Sequence, residues 1–431
     1  MYFSKSSLIK KYGILLFIAF FLWGCSSYDS QYKEIFQAYY QSNLDLAEEL
    51  NKQVLDSMGY NNQDRPLMLL EQASISLAKG KKEQAIASLR EADSMTEVLD
   101  LSGDPGQVGK YLFSDSSGMY RIQPHEQIMT NVLNAIAYLS IGDLAGANVE
   151  IKRAKTQEKY WVELQGQNMA KNALLQLLGA LINARMNKIS DMSFYSRELT
   201  QLIGQQEAQK FLKPLRQGEK EILILVLNGK APVRREVKER IPGSQIARII
   251  SHTGYTGDYL IYPALAARHS PFSYAEVMIN NSSSGACLDL LNVESQAFSW
   301  YEQQRNKIMI AAATRMAFRA AASTAAAKGT EYAIKNRKKH KDEEEQENYD
   351  RSAEMLGSLI GSLTKSIMEA VDAADTRCWT LLPKNILVTR VSGIFPEQVT
   401  VNLSMRGSSY TQLKKQLTLG NGINVALFVT P

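Results

Sequence analysis

An α+β fold is predicted: a degenerate array of helical hairpins, followed by a small antiparallel β domain carrying an inserted alanine-rich helical hairpin. Three observations predict it. Apolar residues recur every three or four positions from Gln31 to Gln217, the period of one helix face. Past Gly218 the apolar runs become short and are split by glycine and proline, as strands are. Between two groups of such runs, residues 295–374 are rich in alanine.

The chain opens with Lys5, Lys10 and Lys11, an apolar run from Gly13 to Trp23, then Leu22-Trp23-Gly24-Cys25-Ser26-Ser27. A basic stretch, an apolar stretch and a small-residue cleavage site make residues 1–24 a secretory signal. Its end resembles a bacterial lipobox. That resemblance implies cleavage before Cys25, diacylation of its thiol and acylation of the new amino terminus. Buried methylenes contribute about 0.8 kcal/mol each, so two or three acyl chains hold a protein on a membrane where one does not. An uncleaved signal anchor is the alternative, although the apolar run falls short of the roughly 20 residues that span a bilayer. Ser26, rather than Asp, after the cysteine implies the outer membrane by the same resemblance, with the body on the periplasmic face. Residues 25–30 read as the lipidated N-terminus and a short linker.

Residues 31–217 form the helical half. Leu77-Ala78-Lys79-Gly80-Lys81-Lys82-Glu83-Gln84-Ala85 returns as Leu139-Ser140-Ile141-Gly142-Asp143-Leu144-Ala145-Gly146-Ala147. A permissive residue at the turn (Gly80, Gly142) and a small one five positions on (Ala85, Ala147) suit two antiparallel helices that cross closely. Weaker copies run from Ser42 to Ala47 and from Asn187 to Met192. The pattern resembles tetratricopeptide repeats, whose stacked helix pairs bury faces that no single pair can cover. The turns near 42, 80, 142 and 187 are unevenly spaced, so the array is TPR-like rather than regular. Asp100 to Gln123, with Gly103, Pro105, Gly106, Gly109 and Gly118, reads as a surface loop between hairpins.

Residues 218–431 form the C-terminal part. Glu221 to Leu227, ending at Asn228-Gly229, reads as a buried strand, and Tyr274 to Ile279 as a half-buried one. Ile386–Val391, Val399–Met405, Leu413–Leu419 and Asn424–Val429 follow as short antiparallel strands. The insertion, 295–374, reads as an alanine-rich helix, a charged link from Lys335 to Asp350 and a second helix. The link has the composition of a solvated stretch, with a specific docking site as the alternative. Gly357-Ser358-Leu359-Ile360-Gly361 offers a face that lets helices approach closely. Lys365 and Glu369 argue against membrane insertion and for contact with the other helix or with a partner chain.

Composition narrows the function. The 431 residues are 45% apolar and 22% charged, enough for a sizeable core and two domains. The net charge of +5 nearly vanishes once the three signal lysines are set aside, which is no nucleic-acid footprint. Cys287 and Cys378 could pair in an oxidising periplasm or stay as two free thiols. His125-Glu126-Gln127-Ile128-Met129 begins like a zinc-protease helix, but Met129 stands where the second imidazole belongs. No nucleophile elbow, phosphate loop, dinucleotide fingerprint or Cys-x-x-Cys appears, so no catalytic, cofactor or metal residue is expected. Glu150 and Arg153 can pair across one helical turn.

The segments Glu126–Arg153, Glu221–Val233 and Arg315–Arg319, with Ala374-Asp375-Thr376-Arg377-Cys378-Trp379-Thr380-Leu381-Leu382-Pro383, together resemble a family of largely uncharacterised Gram-negative lipoproteins with a tetratricopeptide-like front half. The resemblance implies an envelope location and no established activity. Within the last segment Asp375, Arg377 and Trp379 alternate as in a strand. Asp375 and Arg377 would share a face and form a fork-like ion pair, with Trp379 covering it and Pro383 ending the run. Such a motif would clamp the returning helix onto the β domain.

The function expected is therefore an outer-membrane lipoprotein, held by lipid on Cys25, that acts as a periplasmic scaffold or assembly factor. The concave surface of its array would hold an envelope protein, as array grooves hold extended or helical peptides. Alternatives are a structural lipoprotein that forms homo-oligomers through the alanine-rich hairpin, and a cell-wall enzyme using carboxylates.

Overall fold

The computed structural model describes residues 28–100, 119–165, 172–335 and 374–430. The expected signal with Cys25, residues 101–118 of the expected loop, and nearly all of the expected link and second helix of the insertion lie outside the described residues.

Four helical hairpins make the array. They are α2 (Lys33–Tyr40) with α3 (Leu44–Ser57), α4 (Arg65–Lys79) with α5 (Lys82–Asp100), α6 (Pro124–Ser140) with α7 (Leu144–Gln165), and α8 (Ala173–Arg185) with α9 (Ile189–Ile203). A single turn, α1 (Tyr28–Gln31), precedes them, and α10 (Gln205–Leu212) closes the array. Ser42, Gly80, Gly142 and Asn187 have φ of 63°, 75°, 81° and 56°. The residue after each sends its N–H back to the helix it leaves: Asn43 to Ala38 O (2.9 Å), Lys81 to Ser76 O (2.8 Å), Asp143 to Tyr138 O (2.9 Å) and Lys188 to Asn183 O (2.9 Å). This is one Schellman-type turn used four times, satisfying carbonyls that a helix end leaves without partners. Five positions on, Ala47, Ala85 and Ala147 are fully buried, where a larger side chain would push the crossing helices apart.

The C-terminal part forms two stacked sheets. The inner sheet has the order β10 (Ile423–Thr430), β1 (Lys220–Asn228), β7 (Asn385–Gly393), β6 (Leu288–Asn292). The outer sheet has the order β5 (Ser282–Ala286), β4 (Phe272–Ile279), β8 (Gln398–Gly407), β9 (Tyr410–Thr418). Ile222, Ile224 and Val226 of β1 point to the outer sheet, packing with Val277, Val401 and Leu403. Leu223, Leu225 and Leu227 point the other way into the core of the helical array. Because side chains alternate across a strand, β1 is apolar at every position from Ile222 to Leu227. The array and inner sheet therefore share one continuous core across the expected boundary at residue 218.

Two expectations need correcting here. The β region is not wholly antiparallel, because β1 pairs in parallel with β10 from Glu221↔Ile423 to Asn228↔Thr430. Their sequence separation, longer than any hairpin, allows that direction. A two-stranded ribbon, β2 (Val233–Arg240) and β3 (Tyr259–Ala266), is also present. Val-Arg-Arg-Glu-Val-Lys-Glu-Arg lacks the apolar alternation of a strand, since six of its eight residues are charged and half are exposed; the ribbon's apolar contacts come mainly from β3, which meets a helix. That helix is α12 (Val293–Lys335), the first limb of the insertion, whose Met309, Ala312, Ala313 and Met316 pack on Leu260, Ile261 and Tyr262. α11 (Gln245–Ile250) completes this cluster with Ile246 and Ile250.

Cys287 and Cys378 are both free thiols. Arg153 pairs with Asp93 of the preceding hairpin, while Glu150 is buried. A second charge cluster ties the array to the sheet. Buried Glu221 accepts from Arg185 Nε at 2.7 Å and from Arg390 Nε at 2.6 Å, and Arg390 Nη1 reaches Phe211 O at 2.6 Å.

Candidate functional site

The site forms on the two central helices of the array. α4 is buried at every residue from Pro66 to Leu77, and α6 almost throughout, so neither has a solvent stripe. Each nevertheless presents a carboxyl group to the interior, Glu71 and Glu126, and buried polar groups require partners. Their partners come from the segment returning after the insertion.

Glu71 Oε1 accepts from Thr380 N at 2.7 Å and its Oε2 from Leu381 N at 2.9 Å. Glu126 Oε1 accepts from Trp379 N at 2.8 Å; its Oε2 accepts from Gln123 N at 2.9 Å and from the Tyr120 hydroxyl. Three successive backbone N–H groups are thus read by two carboxylates. Trp379 is buried, and its Nε1 donates to Ser74 Oγ at 2.9 Å, one helical turn after Glu71. On the other side, Tyr40 Oη and Arg268 Nη2 donate to Thr380 O at 2.7 and 2.6 Å, and Arg268 Nη1 donates to Tyr40 Oη at 2.7 Å. Beyond the cradle, Ala231 N donates to Leu382 O at 3.0 Å and Lys384 N to Asn228 O at 2.9 Å, joining the segment to the inner sheet.

Asp375 and Arg377 form the expected fork: Nε to Oδ1 and Nη2 to Oδ2, both 2.9 Å. Arg377 Nη1 also donates to Asp64 Oδ1 at 2.9 Å, which fastens the pair to the start of α4. Burial alone would lower the Arg377 guanidinium, but Asp375 and Asp64 outweigh it and hold it above its ordinary value. The alternation reading fails in three respects. Residues 374–379 belong to no helix or sheet. The ring over Arg377 is Tyr120, at 5.8 Å, while Trp379 sits on Ser74 and Glu126. The motif also clamps mainly onto the array, because its amides find carboxylates there rather than strand partners.

Burial pushes Glu71 up to about 8, against the amides of Leu381 and Thr380 and the charge of Arg268. The same cause pushes Cys378 up to about 12 and His125 down to about 4. His125 is buried, and among the described residues no group of three or more His, Cys, Asp or Glu side chains is placed to hold a metal ion. Beside the cradle about 10 Å³ of space remains, lined by Tyr39, Ser74, Leu133 and Leu381, room for a single water. The arrangement recognises the backbone of a turn, Trp379–Leu382, and the chain's own segment fills it.

The chain matches no protein-family model and no curated relative.

Of the residues singled out from sequence, Gly80, Ala85, Gly142 and Ala147 build the turns that stack the helices. Asp375, Arg377 and Trp379 lie in the cradle. The expected linker is shorter than residues 25–30, since Tyr28 is buried and its N–H donates to Thr376 Oγ1 at 3.2 Å. Sequence reasoning missed Glu71, Ser74, Tyr40, Asp64, Tyr120 and Arg268. Glu71 had a signal, a carboxylate within the apolar run Leu67-Met68-Leu69-Leu70-Glu71-Gln72-Ala73. Arg268 had none.

Proposed function

We propose that the protein is a lipoprotein of the outer membrane, anchored through acylated Cys25, that serves as a periplasmic scaffold binding an envelope protein through its helical array. One observation carries the choice of surface: the inner face of the array is filled by residues 374–383, whereas its outer face at α7 and α9 exposes a group of apolar side chains. Ile189 is 63% exposed and Val149 55%, with Tyr160 and Phe194 also exposed. The two helices lie side by side, because Lys152 reaches Asp191 at 3.4 Å and Lys155 Nζ lies 5.5 Å from the Phe194 ring. Apolar side chains gathered and rimmed by charge are characteristic of protein-binding surfaces. The resemblance to Gram-negative lipoproteins, carried by the lipobox-like end of the signal and the Asp375–Pro383 run, supports the location.

Two experiments test the reading. A photo-crosslinking residue at position 189 in intact cells should yield an adduct with an envelope protein; self-adducts alone would replace the scaffold by a homo-oligomer. Cys25→Ser should abolish acylation and release the protein from outer-membrane fractions, and unchanged sedimentation would remove the anchor.

A further inference from the structure

The anchor and the fold are too close together for the body to hang free of the membrane. Tyr28 is in the core, its N–H held by Thr376 and its ring stacked edge-on against Tyr32 with centroids 5.0 Å apart. From Cys25 to Tyr28 there are three Cα steps, which span at most about 11 Å. An acylated Cys25 must therefore keep the lipid surface within that reach of Tyr28. At this end of the array, α1–α2 and α3 enclose an open groove of about 410 Å³, lined by Lys33, Ile35, Leu50, Gln53, Val54 and Ser57. Three residues past Ser57 stands Tyr60, 66% exposed. Its loop is tied to the same end, since Asp64 holds Arg377, the neighbour of Thr376.

We propose that this rim, the α1–α2/α3 groove together with Tyr60, rests against the lipid surface and fixes the orientation of the body on the membrane. The inference relies on acylation of Cys25. The chemistry suits a headgroup layer. Tyrosine combines an apolar ring with a polar tip and collects at membrane interfaces. Lys33 can lay its stem along Ile35, Leu50 and Val54 while its ammonium meets lipid phosphate.

The test uses the full-length acylated protein carrying an environment-sensitive fluorophore on one introduced thiol. Tyr60→Cys and Ser57→Cys report on the rim, and Tyr410→Cys on β9 of the outer sheet is the control. All three positions are exposed. Cys287, which is only partly buried, is replaced by serine, and Cys378 is buried. On reconstitution into phosphatidylethanolamine–phosphatidylglycerol vesicles, emission from 57 and 60 should shift to the blue and emission from 410 should not. Mass spectrometry of the N-terminus separates the two ways of failing. Acyl chains on Cys25 with 57 and 60 behaving like 410 would overturn the rim alone, whereas an unacylated terminus would overturn the anchor and the rim with it.

Discussion

Arg377→Ala is the perturbation that tests the cradle most directly. The guanidinium is buried and makes three 2.9 Å bonds, two to Asp375 and one to Asp64. The carboxylates themselves have only 17% and 14% of their side chains exposed. Removing the arginine leaves two largely buried negative charges without their cation, Asp375 keeping only the backbone N–H of residue 377 at 3.1 Å, and breaking a buried pair from one side costs about 3–5 kcal/mol. A surface pair would cost about 0–1 kcal/mol. Asp375→Ala should cost less, because Arg377 keeps Asp64. Urea denaturation read by tryptophan fluorescence gives both numbers, since Trp379 sits within the cradle. Thermal melting should rank the variants in the same order, Arg377→Ala lowest. A loss within about 1 kcal/mol for Arg377→Ala would refute the reasoning, and the fork would then be decoration. An unchanged melt for Asp375→Ala with loss of the crosslinked partner would turn the motif into a binding element.

Two further predictions concern pH and packing. Glu71, at about 8 in the fold against roughly 4.3 in an unfolded chain, keeps a proton that the unfolded chain releases between those values. Its contribution to stability is full below the lower value and is lost as pH rises through the upper one. Glu71→Gln should therefore flatten the fall in urea midpoint between about pH 5 and pH 8, and an unaltered slope would reject this. His125, pushed down to about 4, acts in the opposite sense below its ordinary value but is common to both proteins. Gly80→Ala meets empty space and should lose only the cost of a left-handed alanine, about 1–2 kcal/mol. Gly179→Ala would place its Cβ 2.5 Å from the Tyr195 ring and should lose about 1–3 kcal/mol by overpacking. Calorimetric melting distinguishes them if Tyr195→Leu rescues the second and leaves the first unchanged.

The four array turns were legible because their cause is local: a residue able to adopt positive φ, followed five positions later by alanine in three of them and by Met192 in the fourth. Ser42 and Asn187 fill that role as Gly80 and Gly142 do, at uneven intervals. The strands β1, β4, β7, β8, β9 and β10 were legible from apolar runs bounded by Gly, Pro and Asn. The ribbon β2–β3 was not, since half of β2 is charge facing water. The parallel partnership of β1 and β10 was also hidden, as strand direction within a sheet depends on pairing between residues some 200 positions apart.

What the sequence by itself determined is the alphabet of local pieces: hairpin turns, apolar strands and the Asp375–Arg377 fork, each specified by neighbours within a few residues. Only the tertiary structure decided what the segment 374–383 does. The amides of Trp379, Thr380 and Leu381 have no strand partner and are satisfied by Glu126 and Glu71, about 250 and 310 residues away along the chain. A buried N–H takes whichever acceptor folding brings within reach, and no local pattern records which one that is.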